Sequence, residues 1–177
     1  MQNKNDWHGL MQILWVEHVR DGKVIHREEN VLNTLHFLGE NFVLSALFLG
    51  GNNPNTFIPD QFYLGLDART TIDKADTMED VLNEPFVNGY ARQPVSSTTG
   101  FSIDVVGGVH RAVSQIVTFS AAGGPWGPMK NIFLSDKQNN TGVLISSAPL
   151  TSPVTVASGD SVNMRMGMSL RYAPIVT

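Results

Sequence analysis

The sequence contains no cysteine, which excludes disulfides, thiolate metal sites and cysteine nucleophiles together and lets the chain mature in a reducing cytosol. Charge is scarce as well. Only 16% of the 177 residues are Asp, Glu, Lys or Arg, against about 25% in ordinary soluble domains, so part of the surface is expected to be covered by something. Lysines and arginines are scattered without a run, and the formal net charge is -4. No basic face is therefore on offer to phosphates, and direct nucleic-acid binding is not expected. Long hydrophobic runs are missing too: the longest nearly uncharged apolar stretch, residues 41–51, is far too short to span a bilayer. The opening MQNKNDWHGL lacks the basic-then-apolar layout of a signal peptide. These absences describe a soluble, unsecreted chain without a membrane partner, and its length suits one domain, residues 1–177.

What is present reads mainly as β. Residues 10–28 form a hairpin pattern, with apolar-rich runs on either side of Asp21-Gly22, a dipeptide that accepts the positive φ angles of a tight turn. A plain two-residue turn puts Arg20 opposite Lys23, His18 opposite Ile25 and Glu17 opposite His26. The period then changes. Leu32, Leu35, Phe42, Leu44, Ala46 and Leu49 fit a helix over residues 33–49, stopped by Gly50-Gly51 and weakened by Gly39 by about 1 kcal/mol relative to alanine.

GNNPNTFIPD, residues 51–60, is a loop, FYLGL at 62–66 a buried strand, and TMED at 77–80 a single helical turn. Beyond Tyr90 come ARQPV, FSIDVV, HRAVSQIVTFS, MKNIFLSD, GVLISSA, VTVA and SVNMRMGMSLRY, separated by turn residues. That spacing predicts a jelly-roll or Ig-like β-sandwich, residues 60–177, with the N-terminal hairpin and one main helix, residues 1–51, packed on it or docking elsewhere. In the last strand Val162, Met164, Met166, Met168 and Leu170 share one face, while Asn163, Arg165, Ser169 and Arg171 point to the other.

The chemistry-bearing residues do not assemble into a motif. His8, His18, His26, His36 and His110 form neither HExxH nor HxH, so no metal ligand set is expected. Glu17 with His26 is more simply a cross-strand ion pair. No serine sits in GxSxG, and the Ser96–Thr99 run reads as a solvated loop. Asp73, Asp76, Glu79 and Asp80 lack the spacing and the glycine of a calcium loop. Gly107-Gly108 and Gly123-Gly124 lie between strands and read as turns or bulges, not phosphate cradles. No catalytic residue and no cofactor are expected. The candidates that remain are groups for contact: Trp7, Phe57, Trp126, Arg165 and Arg171. Trp126, in the corner GGPWGP, can anchor a partner or plug one end of its own sandwich, and the second role is the commoner for tryptophan.

The succession FYLGLDA, NGYARQPV, VTFSAAGGPWGPMKNIFLSD and GVLISSAPLTSPVTVASGDSV resembles a group of small virion structural proteins of tailed bacteriophages. The resemblance covers residues 62–172 and rests on the order and spacing of its motifs. It implies a non-enzymatic part of the virion, either a head decoration or cement protein or a fibre- or tail-associated one. The main expectation drawn from it is a homo-oligomer, dimer or trimer, that cements the major capsid protein or other virion proteins. The alternative is a tail or fibre component that binds a receptor or glycan, with Trp7, Phe57, Tyr63 and Trp126 stacking on sugar faces.

Overall fold

A computed structural model describes residues 9–48, 58–81 and 83–170. Two antiparallel sheets pack face to face as a β-sandwich. The first holds β1 (Gly9–Arg20), β2 (Lys23–Leu32), β6 (Phe101–Val106), β7 (Val109–Ser114), β8 (Val117–Ser120) and β11 (Ser161–Leu170), in the order β2-β1-β11-β7-β6 with β8 also on β11. The second holds β3 (Thr34–Leu35), β4 (Gln61–Asp67), β5 (Gln93–Ser96), β9 (Trp126–Ser135) and β10 (Leu144–Val156), in the order β3-β10-β9-β4-β5. The single helix longer than one turn among the described residues, α1, runs Phe37–Phe48.

The core lies between the sheets because the strands alternate. Val162, Met164 and Met166 of β11 are buried along with Ile13 and Val16 of β1, and they face Leu64, Leu66, Ile132, Leu134 and Ile145 of the second sheet. The β11 face assignment read from the sequence holds from Val162 to Met168, the last of these only partly buried. The N-terminal hairpin, expected as an element packed on the sandwich, is woven into it, since β1 pairs with β11 from Gly9↔Leu170 to Val19↔Ser161.

Three local expectations are corrected. In the hairpin, Arg20↔Lys23 holds, but a bulge after Val19↔Val24 leaves Ile25 unpaired and puts His18 opposite His26 and Glu17 opposite Arg27. One extra residue on a strand shifts every later pair by one. Glu17 accordingly pairs with Arg27, and His26 bonds Glu28 at 2.9 Å. The helix starts at Phe37, not residue 33, because Thr34 and Leu35 extend to pair with Ser147 and Ser146; Leu49 lies outside the described residues. HRAVSQIVTFS splits into β7 and β8 at Gln115-Ile116, whereas GVLISSA and VTVA are parts of one strand, β10, whose register slips between Pro149 and Val154.

Two buried polar groups fix these joins. Asp160, 3% exposed, accepts bonds from His18 Nε2 (2.7 Å), Arg20 Nε (3.0 Å) and Nη2 (2.8 Å) and the Ala157 amide (3.0 Å), tying the hairpin tip to the start of β11. The Arg20 bond, above all, holds the Asp160 carboxyl far below the ordinary carboxylate range against the opposing effect of burial. His36 is fully buried at the start of α1, and burial pushes its pKa down, so it is the neutral imidazole. Its Nδ1 then donates to the Lys74 carbonyl (3.2 Å), and its Nε2 accepts from the Ser147 hydroxyl (2.9 Å).

Gly39 shows what its helix penalty permits. A Cβ there would stand 2.0 Å from the Ile145 carbonyl oxygen, so α1 rests backbone to backbone on β10. Gly39→Ala is expected to destabilise the fold by roughly 1–3 kcal/mol despite its gain in helix propensity, because a backbone oxygen cannot step aside; denaturant unfolding measures the sign. Asp160 dictates a pH dependence. Its folded pKa is lowered, so its contribution is complete above the unfolded value near about 3.9 and is lost as pH falls below it. The wild type should therefore lose melting temperature steeply below about pH 4, while Asp160→Asn should be less stable at pH 7 and flatter through the acid range.

Candidate assembly surface

Between β4 and β5 the chain has almost no regular structure, and its polar side chains hold it in place. Arg92 is 4% exposed. Its Nε and Nη2 donate to Glu84 (2.9 and 2.6 Å), its Nη1 to the carbonyls of Lys137 (3.2 Å) and Asn139 (2.8 Å), and the Asn140 side chain is bonded as well. The guanidinium also lies over the Phe133 ring at 5.1 Å. Glu84 accepts the Tyr90 hydroxyl (2.7 Å), which itself accepts from the Leu66 amide (2.8 Å). Burial, then the Glu84 charge, holds the Tyr90 phenol well above its ordinary pKa. The same Phe133 ring lies against Gly65, where a Cβ would come within 2.1 Å. LGL, GYAR and the loop after β9 are thus three sides of one clamp.

The GGPWGP corner closes the sandwich. Trp126 is 4% exposed, meets Tyr90 edge-on at 5.3 Å, and donates its Nε1–H to the Asn88 carbonyl at 3.1 Å. Tyr90 stacks in turn on Phe119 at 5.9 Å. Of the two roles weighed for Trp126 the structure assigns the plug, since its ring is spent inside the molecule and presents no surface to a partner.

Exposed apolar groups gather elsewhere. α1 has the sequence FLGENFVLSALF and is apolar nearly all round, a pattern that belongs to helices covered on every side. Yet only Gly39 and Ser45 of its residues are buried, while Phe37 is 56%, Leu44 50%, Leu47 56% and Phe48 78% exposed. Across a groove from it lies the β6–β7 hairpin, at the end of the first sheet. Ile103, Ala112 and Met168 form a cross-strand row that would be core if anything lay beneath it. Instead, that row, Ile58, Phe62 and Phe42, Val43, Ala46 and Leu47 of α1 line an open, mainly apolar groove of about 810 Å³. Arg111, which lines the groove, meets Asp104 at 2.8 Å, and beside α1 Lys74 Nζ meets Glu40 at 2.7 Å and the Phe37 ring at 4.9 Å.

Of the residues singled out from the sequence, Trp7, Phe57 and Arg171 lie outside the described residues. Arg165, half-buried on β11, donates its Nε–H to the Ser114 carbonyl at 2.8 Å and so pins β11 to the end of β7. Tyr63 points its hydroxyl at Gln61 (3.1 Å). The acidic run 73–80 is local structure, with Asp80 capping the turn at Thr77. Among the described residues no three His, Asp or Glu side chains are placed to hold a metal ion. The α1 face was not singled out from the sequence; its signal was a helical run without a polar side.

The sequence model of a family described as Podophage GP4 fiber I protein gp80 matches residues 38–169, well over half of the chain. The chain belongs to this family. It is therefore a virion structural protein of the tailed-phage fibre group, found in the virion, and the family is not one of enzymes. The match turns the expectation away from head decoration and towards its fibre alternative. No curated protein matches the sequence. The family match starts within α1 and leaves out the β1–β2 hairpin, although that hairpin lines the core.

Arg92→Ala should cost about 3–5 kcal/mol, since it strands the Glu84 carboxylate without its partner. The double change Arg92→Met/Glu84→Leu should recover much of that loss, which chemical denaturation of the three proteins would resolve.

Proposed function

We propose that the protein is a non-enzymatic component of the phage fibre, working by packing against neighbouring virion proteins and not as a cement on the capsid. The fibre-family match across residues 38–169 carries this reading. Its physical support is the α1 face with the adjoining groove, which exposes apolar side chains that a free-standing protein would be expected to cover. The low charge content points the same way. Glycan stacking has lost Trp126, which is buried, so protein contact is the better-supported mode.

Separating purified virions into heads and tail–fibre assemblies, and identifying the chain in each by peptide mass spectrometry, tests this directly. The protein should follow the tail–fibre fraction, and particles lacking it should keep their heads intact under heat and osmotic shock. Finding it at high copy number on isolated heads, with heads that burst in its absence, would reinstate the cement role.

A further inference from the structure

Asn88-Gly89 is the one Asn-Gly step in the sequence. Both residues take positive φ, 57° and 77°, and the Tyr90 amide closes the turn by donating to the Val87 carbonyl at 3.2 Å. Asparagine is thermolabile because the next residue's amide nitrogen can attack its side-chain carbonyl carbon. Glycine in the next position leaves that nitrogen unshielded by a Cβ, and Gly89 is exposed. We infer that Asn88 is a site of spontaneous deamidation, and that the GGPWGP corner decides when it reacts.

The reaction needs only water. The Gly89 nitrogen bonds to Asn88 Cγ and gives up its proton as the Cγ–Nδ2 bond breaks and ammonia leaves, closing a five-membered succinimide. Water then opens either carbonyl of that ring, giving aspartate or isoaspartate at position 88. Nothing is oxidised or reduced.

In the folded chain the reacting groups are held. Asn88 Nδ2, the leaving nitrogen, donates to the Pro125 carbonyl at 3.0 Å. Its amide lies so close to Gly124 that a Cβ there would stand 2.7–2.9 Å from it. The Asn88 backbone carbonyl, which becomes part of the succinimide ring, accepts the Ala122 amide at 2.9 Å and Trp126 Nε1–H at 3.1 Å. Ring closure releases Nδ2 from Pro125 and turns this carbonyl, so it proceeds from a state in which the corner has opened. The product cannot close the corner again. A carboxylate has no N–H for the Pro125 carbonyl, and isoaspartate routes the backbone through the former side chain, away from Ala122 and Trp126. Each opening therefore risks a permanent loss, wherever on the virion the protein sits, and the inference stands apart from the fibre reading.

Peptide mass spectrometry of the full-length chain, incubated at neutral pH, tests this. Deamidation should map to Asn88, yield both aspartate and isoaspartate, and run about tenfold or more slower in the folded protein than in the same chain held in urea. Trp126→Phe keeps a ring but removes the indole N–H, and should speed the reaction. Gly124→Ala, whose Cβ would displace the Asn88 amide, should speed it as well. Ile13→Ala, a core truncation opposite Met166, should speed it less for each degree of melting temperature lost, which separates corner opening from global unfolding. Asn88→Asp, the product made directly, should melt below the wild type. Asn88 staying unmodified in urea, equal rates folded and unfolded, corner variants that act no more strongly than Ile13→Ala, or an Asn88→Asp protein as stable as the wild type would each overturn the inference.

Discussion

The fold turns on the alternation of β11. Its inward residues Val162, Met164 and Met166 are the middle of the core, and its edges are taken by β1 on one side and by β7 and β8 on the other. A slip of one residue would carry those side chains to the outside and bring Asn163 and Arg165 into the core. Asp160 at the head of the strand, bound by two hairpin side chains, and Arg165 in its middle, bound to the Ser114 carbonyl, hold the register from both sides.

Where one strand carries its own signal, the sequence is readable. The β11 faces, the limits of β6 and the Asp21-Gly22 turn, whose two residues both take positive φ, follow from periods and turn chemistry. What escapes depends on partners distant in sequence. Ile25 looks like any strand residue until the Val19↔Val24 pair forces it out of the ladder. Thr34 and Leu35 suit a helix until β10 offers them an edge. The same holds for the surface: no local pattern distinguishes Leu44, half exposed, from Leu64, fully buried. The contact candidates were chosen by residue type, which does not by itself separate a presented tryptophan from a buried one; for Trp126 the inward role, the commoner for tryptophan, is the one its burial matches.

The motifs that carry the phage resemblance have a common meaning in the structure. Gly65 admits the Phe133 ring, Tyr90 and Arg92 clamp two loops, Trp126 plugs the end of the sandwich, and Asp160 fastens the hairpin. Each is a solution to a packing problem within the chain. Resemblance in these residues therefore reports the scaffold, while the exposed α1 residues Phe37, Leu44 and Phe48 lie outside the core and can differ without disturbing it.

The pairing Gly9↔Leu170 joins the two ends of the described chain, and it gives the molecule a timetable. During synthesis β1 waits for a strand made some 150 residues later, on the order of ten seconds or more at ribosomal rates. Until β11 arrives, the first sheet has no centre, and β1 and β2 can form only a two-stranded ribbon of marginal stability. The apolar residues of that ribbon are then bare in a crowded cell, as are those of α1. Charges within an exposed strand are one remedy, and the β2 sequence KVIHREENVL, charged at Lys23, Arg27, Glu28 and Glu29, supplies them.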